Sequence, residues 1–193
     1  LAADSHVLLL NDNFGALDPA GERVFVRPTA GVGGGTGVDN SGTIEGAMVE
    51  LKAHGNMYAL AINNSGSIRA TGATKNGGKV TLRAIGGTIT NSGGIAATLP
   101  DGTGGRIMID AGVGGTVNAG GTIDASAKGD GKIGGVVMVS GESVTVPRGA
   151  QISANGEGGG GFVQIGSGEG VDAQNVAVEA GSAISANGGS GPG

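Results

Sequence analysis

The feature that most constrains this chain is a spacing. β-Branched residues recur in pairs six apart: Val38 and Ile44, Ile62 and Ile68, Ile89 and Ile95, Val117 and Ile123, Val146 and Ile152, Val178 and Ile184. Turn chemistry lies between the members, as Asn40-Ser41-Gly42, Asn64-Ser65-Gly66 and Asn91-Ser92-Gly93, drifting later to Ala119-Gly120-Gly121, Arg148-Gly149-Ala150 and Ala180-Gly181-Ser182. Each pair therefore brackets a corner between two short strands. The second members, Ile44, Ile68, Ile95, Ile123, Ile152 and Ile184, follow one another at intervals of 24, 27, 28, 29 and 32 residues, a period in the range of repeat architectures.

Two residues beyond each of these Ile comes a small residue, Gly46, Ala70, Ala97, Ala125, Ala154 or Ala186, which alternation places on the same face. A second strand follows a Gly pair in four copies, with Val80/Leu82, Ile107/Ile109, Val137/Val139 and Val163/Ile165 facing inward. Such a unit holds three short strands and no helix, and it cannot bury its apolar stripe alone. Stacked copies can. The predicted fold is all-β: a parallel β-helix of about six or more coils with three short strands per coil, right-handed by the crossover rule for parallel strands. The regular coils are expected over 38–193, with 1–37 as irregular N-terminal coils of the same solenoid. Because the sequence stops within a repeat, the chain is expected to be a fragment of a longer one.

Composition fits this picture. Ile and Val total 31 against 9 Leu, a bias toward pleated strands. Gly (45) and Pro (5) are frequent enough to suggest disorder, but the period gives glycine a mechanical role at corners. Net charge is −5 with no run of Lys and Arg, which argues against nucleic acid, and the apolar run Val7–Leu10 is too short to insert in a membrane. Zero Cys removes disulfide and thiolate chemistry. The excess length of later repeats falls in Gly, Ser, Lys and Asp segments such as 127–132, read as loops on one edge that accept insertions; the stretch between Val146 and Ile152 is read as a strict corner that does not.

Asn40, Asn64 and Asn91 share one register, so stacking predicts an amide ladder over the corner, with Asn118 one place out of step. Other motifs are weaker. Gly34-Gly35-Thr36-Gly37-Val38-Asp39 matches the opening of a calcium-binding nonapeptide but occurs once, and Gly72 to Lys79 has Gly78 where a phosphate loop requires Lys. His6 and His54 are 48 residues apart with no shared acidic neighbour. Asp110, Asp124, Lys128, Asp130 and Lys132 are the nearest approach to the charged cluster of a β-helical polysaccharide lyase or hydrolase, yet several lie in a variable loop and aromatics for a sugar groove are few. No catalytic residue, metal or cofactor is expected.

The stretch Gly55-Asn56-Met57-Tyr58-Ala59-Leu60-Ala61-Ile62-Asn63-Asn64-Ser65-Gly66-Ser67-Ile68-Arg69-Ala70-Thr71-Gly72, with Gly121-Thr122-Ile123-Asp124-Ala125-Ser126, resembles the coils of the filamentous haemagglutinin family, exoproteins of two-partner secretion in Gram-negative bacteria. The resemblance implies a secreted or cell-surface adhesin-like rod, an outer-membrane secretion partner, and a host-cell, matrix or neighbouring-cell surface as target. It also makes Asn11 and Asn13 candidates for the family's secretion-domain turn, although this sequence lacks the Pro and inserts Phe14. Two alternatives stand beside it: the β-helical polysaccharide enzyme, and a passenger segment of an autotransporter.

Overall fold

The computed structural model describes residues 7–10, 23–26, 37–53, 61–71, 78–168 and 171–189. It begins with β1 (Val7–Leu10) and β2 (Arg23–Val26), followed by three strands per turn. The turns are β3 (Gly37–Asn40), β4 (Thr43–Gly46) and β5 (Met48–Lys52); β6 (Ala61–Asn64), β7 (Ser67–Thr71) and β8 (Lys79–Arg83); β9 (Thr88–Asn91), β10 (Gly94–Thr98) and β11 (Arg106–Asp110); β12 (Thr116–Ala119), β13 (Thr122–Asp124) and β14 (Val136–Ser140); and β15 (Ser143–Val146), β16 (Gln151–Ser153) and β17 (Phe162–Ile165). A small antiparallel pair, β18 (Ser167–Gly168) and β19 (Val171–Asp172), precedes β20 (Asn175–Val178) and β21 (Ala183–Ser185).

Every third strand pairs with its equivalent one turn on, giving three sheets: A (β3, β6, β9, β12, β15, β20), C (β4, β7, β10, β13, β16, β21) and B (β2, β5, β8, β11, β14, β17). All these pairings are parallel, and β1 adds antiparallel to β2 at one edge of sheet B. The result is a parallel β-solenoid with three strands per coil. In about four turns, β3 to β14, the inner residues of all three strands are buried. Beyond them β15 and β16 remain buried within, while Val163 and Ile165 of β17 are only half-buried.

The interior is a set of columns. In sheet C, Ile44, Ile68, Ile95, Ile123 and Ile152 stack in register and are at most 9% exposed. Ile184 pairs with Ile152 but is 41% exposed, because no described strand lies over β21. It belongs to the column by register and not to the core. Sheet B stacks Val49, Val80, Ile107, Val137 and Val163, with Leu51, Leu82, Ile109, Val139 and Ile165 beside them.

Sheet A corrects one feature of the sequence reading. The residues in line with Val38, Ile62, Ile89 and Val117 are Val144 and Val176, not Val146 and Val178. The corner from sheet A to sheet C holds two residues in the early turns (41–42, 65–66, 92–93 and 120–121) but four at 147–150. Two residues were added where Val144 and Val146 both point inward, so the six-residue spacing caught the wrong member of the pair.

Glycine is required where one coil lies directly on the next. The carbonyls of Gly78, Gly105 and Gly135 accept from Arg106, Val136 and Phe162 one turn on, at 2.8, 2.9 and 2.8 Å. A Cβ on Gly105, Gly135 or Gly161 would strike the carbonyl oxygen of the glycine beneath it. The column tolerates no side chain.

Those corner lengths revise where the chain accepts insertion. A Gly-Ser pair placed between Gly129 and Asp130, which are exposed and beside glycines with almost nothing near their Cβ positions, should shift stability by about 0.6 kcal/mol or less. The same pair between Ser92 and Gly93 would pull apart the Ser92 and Gly93 amides that both donate to the Asn64 carbonyl and should abolish a single cooperative unfolding transition, measured by urea titration. Equal tolerance at both places would contradict the stacking. The corner at 147–150, expected to be strict, has already absorbed two residues.

Candidate functional site

The polar interior is concentrated at the sheet A to sheet C corner. Asn40, Asn64 and Asn91 close β3, β6 and β9 with side chains pointing inward, each 1% exposed. The Asn40 Nδ2 donates to Asn64 Oδ1 and the Asn64 Nδ2 to Asn91 Oδ1, both at 2.7 Å. Asn40 Oδ1 accepts from the Gly42 amide, and Asn91 Nδ2 donates to the carbonyls of Gly120 and Gly93. Every amide of the ladder thus points its donor toward the next turn, and all three are paired. The ladder stops because Ala119 occupies the fourth position, in register with Asn91. Asn118 lies on the outward side of the same strand.

A second polar column runs along the sheet C to sheet B corner. Asp124 Oδ1 accepts from the Ser126 amide at 2.9 Å and from Ser153 Oγ at 2.8 Å. The Asn155 amide donates to Ser126 Oγ, Asn155 Nδ2 to Ser185 Oγ, and the Asn187 amide to Asn155 Oδ1. These residues keep step with the Ile column: Asp124, Ser153 and Ser185 follow Ile123, Ile152 and Ile184 by one residue, and Ser126, Asn155 and Asn187 follow them by three.

The charged residues expected to mark an enzyme do not converge. Asp110 ends β11 in sheet B, where it pairs with Arg83 at 3.4 Å and accepts from Ser140 Oγ at 3.0 Å. Asp124 lies in sheet C, Asp130 and Lys128 are exposed, and Lys132 reaches Asp101 at 3.4 Å. Among the described residues no group of three or more His, Asp or Glu could hold a metal ion. Asn11, Asn13, His6 and His54 lie outside the described residues, as do Gly34 to Thr36 and Gly72 to Gly77.

Two carboxyls are shifted. Burial acts to raise Asp124, but hydrogen bonds from Ser126 and Ser153 and the charge of Lys128 outweigh it and hold the carboxyl below its usual 3.8. Asp101, fully exposed, is lowered mainly by the Thr103 amide and hydroxyl. A group titrating lower in the folded than in the unfolded chain stabilises the fold above its unfolded value and loses that contribution as pH falls from about 3.8 through the folded value. Asp124→Ala should therefore lower the urea midpoint at neutral pH and reduce the slope of its fall below about pH 4. An unchanged acid limb would show that Asp124 is not a stabilising ion.

These two polar columns bind the coils to one another, and the second borders an open depression of about 390 Å³ lined by Asn155, Glu157 and Asn187. No protein-family model and no curated protein matches the chain. Among solved structures it is similar to the HMW1 secretion domain from Haemophilus influenzae, at 24% identity and a TM-score of 0.44 over 79% of this chain and 48% of that one. The chain spans about half the length of that structure, and a superposition this loose assigns neither partner nor activity.

Proposed function

We propose that the chain is a structural and interaction segment of a secreted bacterial surface exoprotein, an adhesin-like, right-handed rod of six or more coils with no catalytic role. The observation that carries this reading is the division of labour between corners. The sheet C to sheet B corner varies freely, spanning 99–105, 125–135 and 154–161 in successive turns, while the strands it joins keep perfect register. A scaffold that holds its core constant while its loops vary suits display and binding. The resemblance to the filamentous haemagglutinin family supports secretion through an outer-membrane partner and a cell or matrix surface as target.

The enzyme reading makes a different prediction. Incubated with pectin or alginate, with or without calcium, the protein should release no unsaturated or reducing sugar. Turnover that disappears in Asp124→Asn or Asp130→Asn would overturn the proposal and require a cleft at the 125–135 corner.

A further inference from the structure

One tripeptide recurs at equivalent places in two successive turns: Ala154-Asn155-Gly156 and Ala186-Asn187-Gly188, each beginning two residues beyond an Ile of the sheet C column. A third Asn-Gly pair, Asn76-Gly77, lies outside the described residues. In an Asn-Gly pair the following backbone amide attacks the side-chain amide with least hindrance, because Gly has no Cβ in the way and few limits on its torsions. Identical neighbours make the sites at 155 and 187 chemically alike, so a difference between them comes from the fold. Asn155 is half-buried and Gly156 buried. Asn155 Nδ2 donates to Ser185 Oγ at 3.0 Å, its Oδ1 accepts from the Asn187 amide at 2.7 Å, and the Gly156 amide donates to the Asn187 carbonyl at 3.0 Å. All three partners belong to the turn that carries β21. Asn187 and Gly188 are exposed, and no described strand lies over β21. Neither the Asn187 side chain nor the Gly188 amide has a hydrogen-bond partner among the described residues.

We propose that Asn187 is a site of spontaneous deamidation and that the turn stacked over Asn155 protects it from the same reaction. The Gly188 nitrogen gives its proton to solvent hydroxide and attacks Cγ of Asn187; the new C–N bond closes a succinimide ring, the Cγ–Nδ2 bond breaks, and ammonia leaves. Water then opens the ring at either carbonyl to give aspartate or isoaspartate, with no net oxidation or reduction. At Asn155 the same attack requires the side-chain amide to leave Ser185 and Asn187 and the Gly156 amide to leave the Asn187 carbonyl, so it waits on local opening of the covering turn. One net hydrogen bond can be worth a factor of about ten, and three are in place here. Either product puts a new carboxylate into the depression that Glu157 also lines. Isoaspartate in addition lengthens the backbone next to Gly189, whose amide donates to the Gly156 carbonyl at 3.0 Å. A further turn laid on β21 would hold Asn187 as this turn holds Asn155, so the reaction marks an uncovered end of the stack.

The test compares the two sites within one molecule. Intact protein is held at mildly alkaline pH, both folded and in urea above its unfolding transition, and sampled over time. Each sample is digested in acid, where the reaction is slow, and the peptides carrying residues 155 and 187 are separated and quantified by mass spectrometry, which also distinguishes aspartate from isoaspartate by fragmentation. In the folded protein Asn187 should convert at least about tenfold faster than Asn155. In urea, where only the shared Ala-Asn-Gly sequence remains, the two should convert at equal rates. Equal rates in the folded protein, faster conversion at Asn155, or an Asn187 that stays intact while the urea sample converts would each overturn the proposal. A difference that persists in urea would overturn it as well, since stacking would not then be its cause.

Discussion

Asn64→Leu should destabilise the protein by about 2–6 kcal/mol, because it strands two buried groups at about 1–3 kcal/mol each. Asn64 is the middle rung: it accepts from Asn40 Nδ2 and donates to Asn91 Oδ1, and both partners are 1% exposed and beyond the reach of water. Leu matches Asn in heavy-atom count and in branching at Cγ, so no cavity opens and the loss does not arise from one. Asn63→Leu, on the same strand but facing outward, should change stability by no more than about 0.5 kcal/mol. In a double-mutant cycle, Asn40 and Asn64 should couple by at least about 0.5 kcal/mol. Chemical denaturation reads all of these, and a silent Asn64→Leu would mean that the ladder does not hold the coils.

The second large effect is expected in the apolar column. Ile95 sits between Ile68 and Ile123 and is 1% exposed, with Ala97 lining the same narrow interior. Hydrogen-bonded strands on both sides fix the backbone, so the space left by Ile95→Ala cannot close. The cost should be about 2–5 kcal/mol. Ile184→Ala, in the same column by register but 41% exposed, should cost well under half as much. Similar losses at the two positions would contradict the assignment of Ile184 to an uncovered edge.

The contrast between these two isoleucines shows what the sequence could and could not disclose. Register is a property of spacing, and the intervals between the Ile residues place all six in one column. Burial is a property of what lies on top, which spacing does not encode. The asparagine ladder was legible for a related reason: Asn40, Asn64 and Asn91 each sit two residues after an inward β-branched residue and next to a glycine corner. Ala119 terminates it, and Asn118, one place out of step, faces outward.

Where local spacing carried a coincidence, the reading slipped. Val144 and Val146 both face inward, and the corner at 147–150 grew by two residues, so a six-residue rule selected Val146. The Ser126, Asn155 and Asn187 column stands three residues beyond Ile123, Ile152 and Ile184 and so follows the period, but its mixed residue types give no repeated letter to mark it. Nor could sequence separate Asp110 from Asp124: fourteen residues apart in the chain, they end on different sheets because two corners of the solenoid and strand β12 fall between them. The outward row of Met108 and Met138 in sheet B was unreadable for want of a motif, since the two, thirty residues apart, become neighbours only when their turns are stacked.

The central claim is that each repeat is one coil and that coils advance along a single axis in fixed register. The chain has no Cys, so paired spin labels can be placed on the outward column of sheet A, where Asp39, Asn63, Thr90, Asn118, Thr145 and Ala177 follow one another turn by turn. With one label fixed at Asp39, pulsed dipolar spectroscopy should give backbone separations of about 14 Å to Asn118, about 19 Å to Thr145 and about 24 Å to Ala177, an increase of about 4.8 Å per coil. Separations that fail to grow with each turn, or that scatter over a range wider than the label linkers, would contradict the stacked solenoid and the functional reading built on it.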